Sequence, residues 1–304
     1  MKTSLGAMRS KGFSLSDPVF LAGALLVTSG LFHLAWIWAT SAEWSGPLSP
    51  RKPGLFGVSG GFTIWSIAWV LKQCTPFRYD QIFARLMAGG LLTEVGLITI
   101  QFWRGVPSHF NRNTNLDSAI ESTMLVLILL VTVGLAWLCW RSFWLVPMAE
   151  ARSIAIRAGL WLLLVSCGLG FMTTILSEIN IANGRSPETW GRAGVLKYPH
   201  GAALHAIQTL PIVAALLHGL NVSNATRIIR QLVSSHAFFL SYAIWQTLRG
   251  RSRFEVDFIG SALLIISILL LMLPIGAVLF ELISKAYRSR STASKRIPQA
   301  KRSQ

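Results

Sequence analysis

The sequence predicts an all-α fold, a polytopic bundle of about eight transmembrane helices, and three observations support it. The chain of 304 residues is 52% hydrophobic and only 13% charged, whereas soluble domains are about 25% charged. Most of its apolar stretches have 20 residues or more, enough for a helix to cross a bilayer core of ~30 Å. The stretches lack the alternation of barrel strands, and a helix satisfies its own backbone in lipid.

The apolar stretches follow one another along the whole chain. The predicted spans are 18–40, 54–73, 80–104, 117–140, 153–180, 199–220, 226–248 and 256–284. The segments between them are too short for a soluble domain, so residues 1–304 are predicted to form a single integral membrane domain. Basic residues after the last span predict a disordered cytoplasmic tail over 285–304.

Lysine and arginine are distributed unequally between the predicted loops. If the termini lie inside, 18 of the 28 basic residues fall on the inner side and 10 on the outer side. The positive-inside rule therefore predicts cytoplasmic termini. The net charge of +16 is explained by topology and by anionic lipid, so the bilayer is the expected partner and nucleic acid is not.

Three predicted outer segments combine proline with histidine, amide and basic side chains. They read RKPGLFGVSGGFT from Arg51, RGVPSHFN from Arg104 and PHGAALHAIQTLP from Pro199. These segments resemble an uncharacterised family of bacterial multi-span membrane proteins, in patches that cover about half of the chain. The resemblance implies a multi-pass protein of the bacterial inner (cytoplasmic) membrane, and it implies no particular activity.

Polar residues inside the predicted spans indicate a ligand pocket that opens outward. At 1.5 Å per residue, Glu94 lies about 15 Å deep, and His33 and His205 each lie roughly 10 Å deep. An ionisable side chain inside a membrane is costly and is therefore a functional candidate. The predicted ligand-binding set adds loop and amide residues to these three: His33, Glu94, Gln101, His109, Asn111, His200, His205 and Gln208.

Structural roles explain several of these residues equally well. His33, and His205 together with Gln208, are also suited to hydrogen bonds between neighbouring helices. His109 is also suited to ordering its loop beside Asn111. Both interpretations stay open at the level of sequence.

Three basic residues near the predicted outer surface suggest contact with an anionic head group or substrate. They are Arg51, Lys52 and Arg104. The alternative is that these long side chains extend from the bilayer to the interface, as cationic residues near helix ends commonly do.

Three functions follow, in order of preference. In the first, the pocket binds a small ligand, a metal ion or haem b, with His33 and His205 as the metal ligands from two helices. In the second, Glu94 serves a proton- or cation-coupled transporter. In the third, His109, His200 and His205 supply acid–base chemistry to an enzyme that acts on lipid or polyprenyl head groups. The sequence names neither the ligand nor the oligomeric state.

Overall fold

Helices make up nearly all of the regular structure in this protein. The computed structural model describes residues 16–255 and 257–295, and the predicted helical fold class is confirmed for these residues. They form two compact units divided after Pro147. The expected single membrane domain over 1–304 stays a prediction.

Unit 1 comprises the described residues up to Pro147, and unit 2 comprises those that follow. The helices of unit 1 are α1 (Pro18–Thr40), α2 (Arg51–Gln73), α3 (Asp80–Trp103) and α4 (Asn115–Arg141), with a 3-10 turn over Ser142–Trp144. Those of unit 2 are α5 (Glu150–Ala182), α6 (Lys197–Leu204), α7 (Ala206–Gly219), α8 (Ala225–Leu248) and α9 (Phe258–Lys295). A short antiparallel ribbon between α5 and α6 pairs β1 (Thr189–Trp190) with β2 (Gly194–Val195).

Glycines allow α1 and α2 to pack with their backbones in close approach. A Cβ added to Gly57 would lie 2.7 Å from the carbonyl oxygen of Leu26, and one added to Gly30 would lie 2.5 Å from the amide nitrogen of Val58. Small residues are the usual means of close helix packing in lipid, where the hydrophobic effect does not drive helices together. α3 packs against α1, α2 and α4 and so lies at the centre of unit 1.

Arg141, the last residue of α4, bonds to residues at the end of unit 1 where α2 and α4 finish. Its Nη1 lies 2.7 Å from Oδ1 of Asp80, and its Nη2 donates to the carbonyl oxygen of Thr75 at 2.5 Å. The guanidinium also lies over the ring of Trp137, 4.9 Å from the centroid. A planar guanidinium satisfies all three contacts at once, which an ammonium group does not.

In unit 2, small and hydroxyl side chains join the long helices. Gly159 of α5 packs against α7, where an added Cβ would lie 2.8 Å from Cα of Ile207. Ser235 of α8 and Ser267 of α9 are both buried, and each donates to the other's carbonyl oxygen, at 2.8 and 2.9 Å. The polar atoms on these faces are thereby satisfied inside the unit.

Seven helical segments of the described chain are long and apolar enough to cross a membrane, as expected for a multi-pass protein. They are Pro18–Thr40, Arg51–Gln73, Asp80–Trp103, Asn115–Trp144, Glu150–Ala182, Lys197–Gly219 and Phe258–Lys285. The helix α8, predicted as a span over 226–248, is long enough but falls below this apolarity. Polar residues such as Gln231 and His236 lower its hydropathy.

Two predicted segments differ in detail from the structure. The predicted span 199–220 is interrupted at His205, which lies between α6 and α7 with φ −93° and ψ 4°. The tail predicted as disordered over 285–304 begins inside α9, which remains helical to Lys295. Residues 296–304 of that tail lie outside the described residues.

Candidate functional site

Glu94 is the most unusual polar side chain in unit 1. It lies on the buried face of α3 and is 5% exposed. Among the described residues, its Oε2 atom is buried and has no hydrogen-bond partner. An ionised carboxylate without a partner is strongly disfavoured in such a place, so this group requires a proton or a bound cation.

Apolar neighbours on α3 explain why Glu94 lacks a partner. Leu91 and Ile98 lie one turn before and after it on the same helical face, and both are buried, at 8% and 1% exposed. Gly90 lets α3 approach α4, since an added Cβ would lie 3.1 Å from Cγ2 of Val131. The carboxyl therefore projects from a helix face that is otherwise built for packing.

His33 lies on the buried face of α1 with both ring nitrogens hydrogen bonded. Its Nδ1 lies 2.7 Å from the carbonyl oxygen of Ser29, and because a carbonyl only accepts, Nδ1 carries the proton. Its Nε2 then accepts from the indole Nε1 of Trp103 at 3.1 Å. The ring is neutral in this arrangement, and neither nitrogen has a lone pair free for a metal ion.

A buried polar cluster joins the end of α3 to the start of α4. Oδ1 of Asp117 accepts from Nε2 of Gln101 at 3.1 Å and from Nη1 of Arg104 at 2.8 Å. Its Oδ2 accepts from the hydroxyl of Thr114 at 2.7 Å. Gln101 is fully buried and Asp117 is 3% exposed. Gln101 thus serves this cluster, and it has no recorded bond to Glu94.

Asp117 is a central residue of this cluster that the sequence-based site omits. Its backbone amide donates to the hydroxyl of Thr114 at 3.1 Å, while its carboxylate accepts from the same hydroxyl group. Thr114 and Asp117 have the Thr-x-x-Asp spacing of a capping box, placed just before an apolar run. That spacing indicates the start of α4, but it does not indicate the bonds from α3.

The loop between α3 and α4 is ordered by its own side chains. Nδ2 of Asn111 donates to the carbonyl oxygen of Pro107 at 3.1 Å, and its Oδ1 accepts from the amide of Asn113 at 3.3 Å. Glu121 of α4 accepts from the amide of Phe110 at 2.9 Å. Through these hydrogen bonds, Asn111 helps to order the loop.

His109 lies between the loop and the start of α2. Its Nδ1 is 3.1 Å from Oγ of Ser108 and 3.2 Å from Nζ of Lys52. Ser108 is 3% exposed. A hydroxyl next to a histidine nitrogen is the beginning of a nucleophile–base pair, but a hydroxyl this deeply buried is closed to a lipid head group.

The three basic residues predicted to contact an anion have different surroundings. Arg104 is paired with Asp117 and also donates to Oε1 of Gln101. Arg51 lies over the ring of Trp44, 5.7 Å from its centroid, and Lys52 lies beside His109. The charge of Arg104 is therefore neutralised inside unit 1, so the predicted cationic surface is weaker than the sequence suggests.

In unit 2, His200 is held against α5. Its Nδ1 lies 2.7 Å from the carbonyl oxygen of Ser166, and Oγ of Ser166 donates back to the carbonyl oxygen of His200 at 2.8 Å. Gly170, one turn further along α5, leaves room for the ring, since an added Cβ would lie 3.2 Å from Nδ1. This reciprocal pair fixes α6 to α5.

His205 differs from His200 because its side chain is exposed and it lies at the break between α6 and α7. Its carbonyl oxygen accepts from the amides of Gln208 and Thr209, at 3.1 and 3.0 Å. The prediction placed His200, His205 and Gln208 on one regular helix. In the structure, His200 belongs to α6, His205 lies at the break, and Gln208 belongs to α7.

The predicted pocket combines residues from both units, and it stays a prediction. Within unit 1, Gln101 belongs to the Asp117 cluster, and His109 lies beside Lys52. No group of three or more histidine, cysteine or acidic side chains in the described ranges is arranged to hold a metal ion. The haem or metal site through His33 and His205 likewise stays a prediction.

No family model, curated protein or solved structure matches this chain.

Proposed function

We propose that this chain is a multi-pass protein of the bacterial inner membrane that moves protons or cations across the bilayer, with Glu94 as the carrying group. The observation behind the proposal is the buried carboxyl of Glu94 within an apolar helix, whose Oε2 has no hydrogen-bond partner among the described residues. Ionisable residues inside a membrane characteristically belong to ion pathways and proton relays.

The position of Glu94 along α3 supports this proposal. It lies nine positions before Trp103, the last residue of the helix, a distance of roughly 14 Å along the axis. In a bilayer core of ~30 Å this depth is close to the middle. A carboxyl at that depth exchanges its proton or cation only slowly with either surface while the protein is closed. A carrier requires such a site, which a conformational change opens to one surface at a time.

Two observations support our preference for transport over the other functions. Both ring nitrogens of His33 are already hydrogen bonded, so a haem or metal ligand at this position requires that the bond from Trp103 be broken. The hydroxyl of Ser108, next to His109, is buried, which argues against an enzyme acting on head groups through this pair. Oε2 of Glu94, by contrast, has no hydrogen bond to any described residue, so uptake of a proton or cation at that atom breaks none.

We also propose eight spans with cytoplasmic termini, so that α8 crosses the membrane despite its polarity. Two of its polar residues contact neighbouring helices of unit 2. Ser235 is bonded to Ser267 of α9, and Nε2 of His236 lies 3.3 Å from the hydroxyl of Thr209 on α7. Polar groups that are satisfied between helices reduce the cost of placing such a helix in lipid.

The transport proposal is tested with purified protein in liposomes. An imposed membrane potential drives protons into the liposomes, and a trapped pH-sensitive dye reports their entry. The measurement is repeated in separate preparations that carry a sodium gradient or a potassium gradient. The wild-type protein is expected to produce flux above protein-free liposomes, and Glu94→Gln is expected to abolish it. Glu43→Gln, the same chemical change at an exposed residue, is the control. Equal flux in wild-type and Glu94→Gln liposomes would reject the proposal.

A further inference from the structure

A cavity lies in unit 2 where α5 and α8 begin and α7 ends. It consists of two adjoining parts of about 460 and 290 Å³, which share Ala149, Ala151 and Ala225 in their walls. Volumes of this size are typical of small-ligand sites. We call it the α5/α8 cavity, and it contains none of the residues used in the transport proposal.

The charges in the walls of the α5/α8 cavity are mainly positive. Arg227 and Arg230 line the larger part, and Arg152 lines the smaller part. Glu150 neutralises Arg230, with 2.7 Å between Oε1 and Nη2. Within the described part of the chain, the buried Nε of Arg152 has no hydrogen-bond partner, and Arg227 is exposed and is not paired with Glu150 as Arg230 is. The cavity walls therefore carry more positive than negative charge.

The backbone adds to this positive potential. The helices α5 and α8 begin at residues whose side chains make no capping hydrogen bond, Ala149 and Asn224. First-turn amides of a helix have no partner within the helix, and the helix dipole is positive at this end. Both helix starts line the larger part of the cavity, so the positive ends of two helix dipoles and the arginines occur together there.

One backbone amide beside this cavity already donates to a carboxylate. The backbone amide of Ser223, just before α8, donates to both carboxylate oxygens of Glu281 on α9, at 2.9 and 3.2 Å. This contact shows that the turn leading into α8 binds anionic oxygen. The arginines of the cavity remain for a second anion.

The smaller part of the cavity has an apolar wall as well. Ala214, Leu217 and Val222 line it beside Arg152. A site with cations at one side and apolar residues at the other suits a phosphate attached to a glycerol and an acyl chain better than it suits a free phosphate ion. Basic cavities between transmembrane helices on the cytoplasmic side characteristically bind anionic lipid head groups.

We propose that the α5/α8 cavity binds the phosphate of an anionic phospholipid, with Arg152 and Arg227 as its ligands. A guanidinium donates two parallel hydrogen bonds to phosphate oxygens, which favours arginine at such sites. In the proposed orientation the cavity opens to the cytoplasmic leaflet. The site is independent of Glu94, so Glu94→Gln is expected to bind lipid as the wild type does.

Native mass spectrometry of the delipidated full-length protein tests this proposal. The protein is titrated in detergent with phosphatidylglycerol and, separately, with phosphatidylcholine of the same acyl chains. Phosphatidylglycerol is expected to bind more tightly, and Arg227→Gln is expected to weaken it about tenfold, the usual effect of losing a charge-assisted hydrogen bond. Arg185→Gln, at an exposed arginine of the loop before β1, is the matched control and should not change binding.

Arg152→Lys is a second variant that keeps the positive charge and removes the planar guanidinium with its two parallel donors. It is expected to weaken phosphatidylglycerol binding while leaving the melting temperature in phosphatidylcholine unchanged. Equal binding of the two lipids, no effect of Arg227→Gln, or an equal loss in Arg185→Gln would each overturn the proposal. Displacement of phosphatidylglycerol by millimolar inorganic phosphate would reassign the cavity to a soluble phosphate ligand and reject the lipid.

Discussion

The indole Nε1 of Trp103 donates to Nε2 of His33 across α1 and α3, at 3.1 Å. His33 is 2% exposed, and its Nδ1 is bonded to the carbonyl oxygen of Ser29. The ring packs edge-on against Phe102, with 5.6 Å between the centroids. The histidine that the sequence suggests as a ligand therefore connects two helices of unit 1.

Removing the indole donor should destabilise unit 1. Trp103→Phe keeps an aromatic ring but leaves the buried Nε2 of His33 without a partner, which costs about 1–3 kcal/mol of the free energy of unfolding. Chemical unfolding in detergent, followed by fluorescence, measures this loss. Trp38→Phe is the control because Trp38 is 90% exposed. Equal stability of the two variants would show that the bond contributes nothing.

Arg141 should be intolerant of substitution. Its side chain is 8% exposed and is paired with Asp80, whose side chain is 21% exposed. Arg141→Met leaves that carboxylate without its partner, and such losses cost about 3 kcal/mol or more when the pair is buried. The same unfolding assay compares it with Arg78→Met, at an exposed arginine of the segment between α2 and α3. A change as small as that of Arg78→Met would contradict the role assigned to Arg141.

The thiol of Cys74 should be unreactive while the protein is folded. Cys74 is 1% exposed, and burial raises the pKa of its thiol to about 11, although Arg141 nearby acts in the opposite direction. Because only the thiolate reacts readily with iodoacetamide, labelling at pH 8 should be slow and should accelerate as the pH rises toward 11. Mass spectrometry of the labelled peptides follows the rate, and rapid labelling at pH 8 would show that the site is open.

If α8 crosses the membrane as we propose, the segments at its two ends lie on opposite sides. Ser223→Cys precedes α8, and Ser252→Cys follows it. In intact cells a membrane-impermeant maleimide is expected to label the cysteine at 252, and the cysteine at 223 only after permeabilisation. Labelling of both cysteines on the same side would show that α8 does not cross.

Helix positions are the part of this fold that is most predictable from sequence. A membrane imposes a minimum apolar length, and the predicted spans coincide with helices in both units. The break at His205 was not predicted, and Pro211 does not mark it, because that proline lies inside α7. Because α8 is polar, its assignment as a membrane span depends on contacts with other helices, such as the hydrogen bond between Ser235 and Ser267.

The polar site was less predictable because its contacts are made between helices. The depth of Glu94 and its isolation on an apolar face can be read from the sequence, since its neighbours on α3 are apolar. The pairing of Gln101 with Asp117 cannot, because α3 and α4 bring these residues together only in the folded unit. The same is true of His33, whose second partner is 70 residues away.

Infrared difference spectroscopy of the carboxyl group tests the role of Glu94 most directly. Reconstituted protein is exposed to steps of pH and of sodium or potassium concentration, in H₂O and in D₂O. If Glu94 exchanges a proton or cation inside the membrane, the wild type will show a carboxylic C=O band that responds to these steps and shifts in D₂O. That band will be missing in Glu94→Gln and present in Glu43→Gln. A responsive band that persists in Glu94→Gln, or no responsive band in the wild type, would contradict the proposed function.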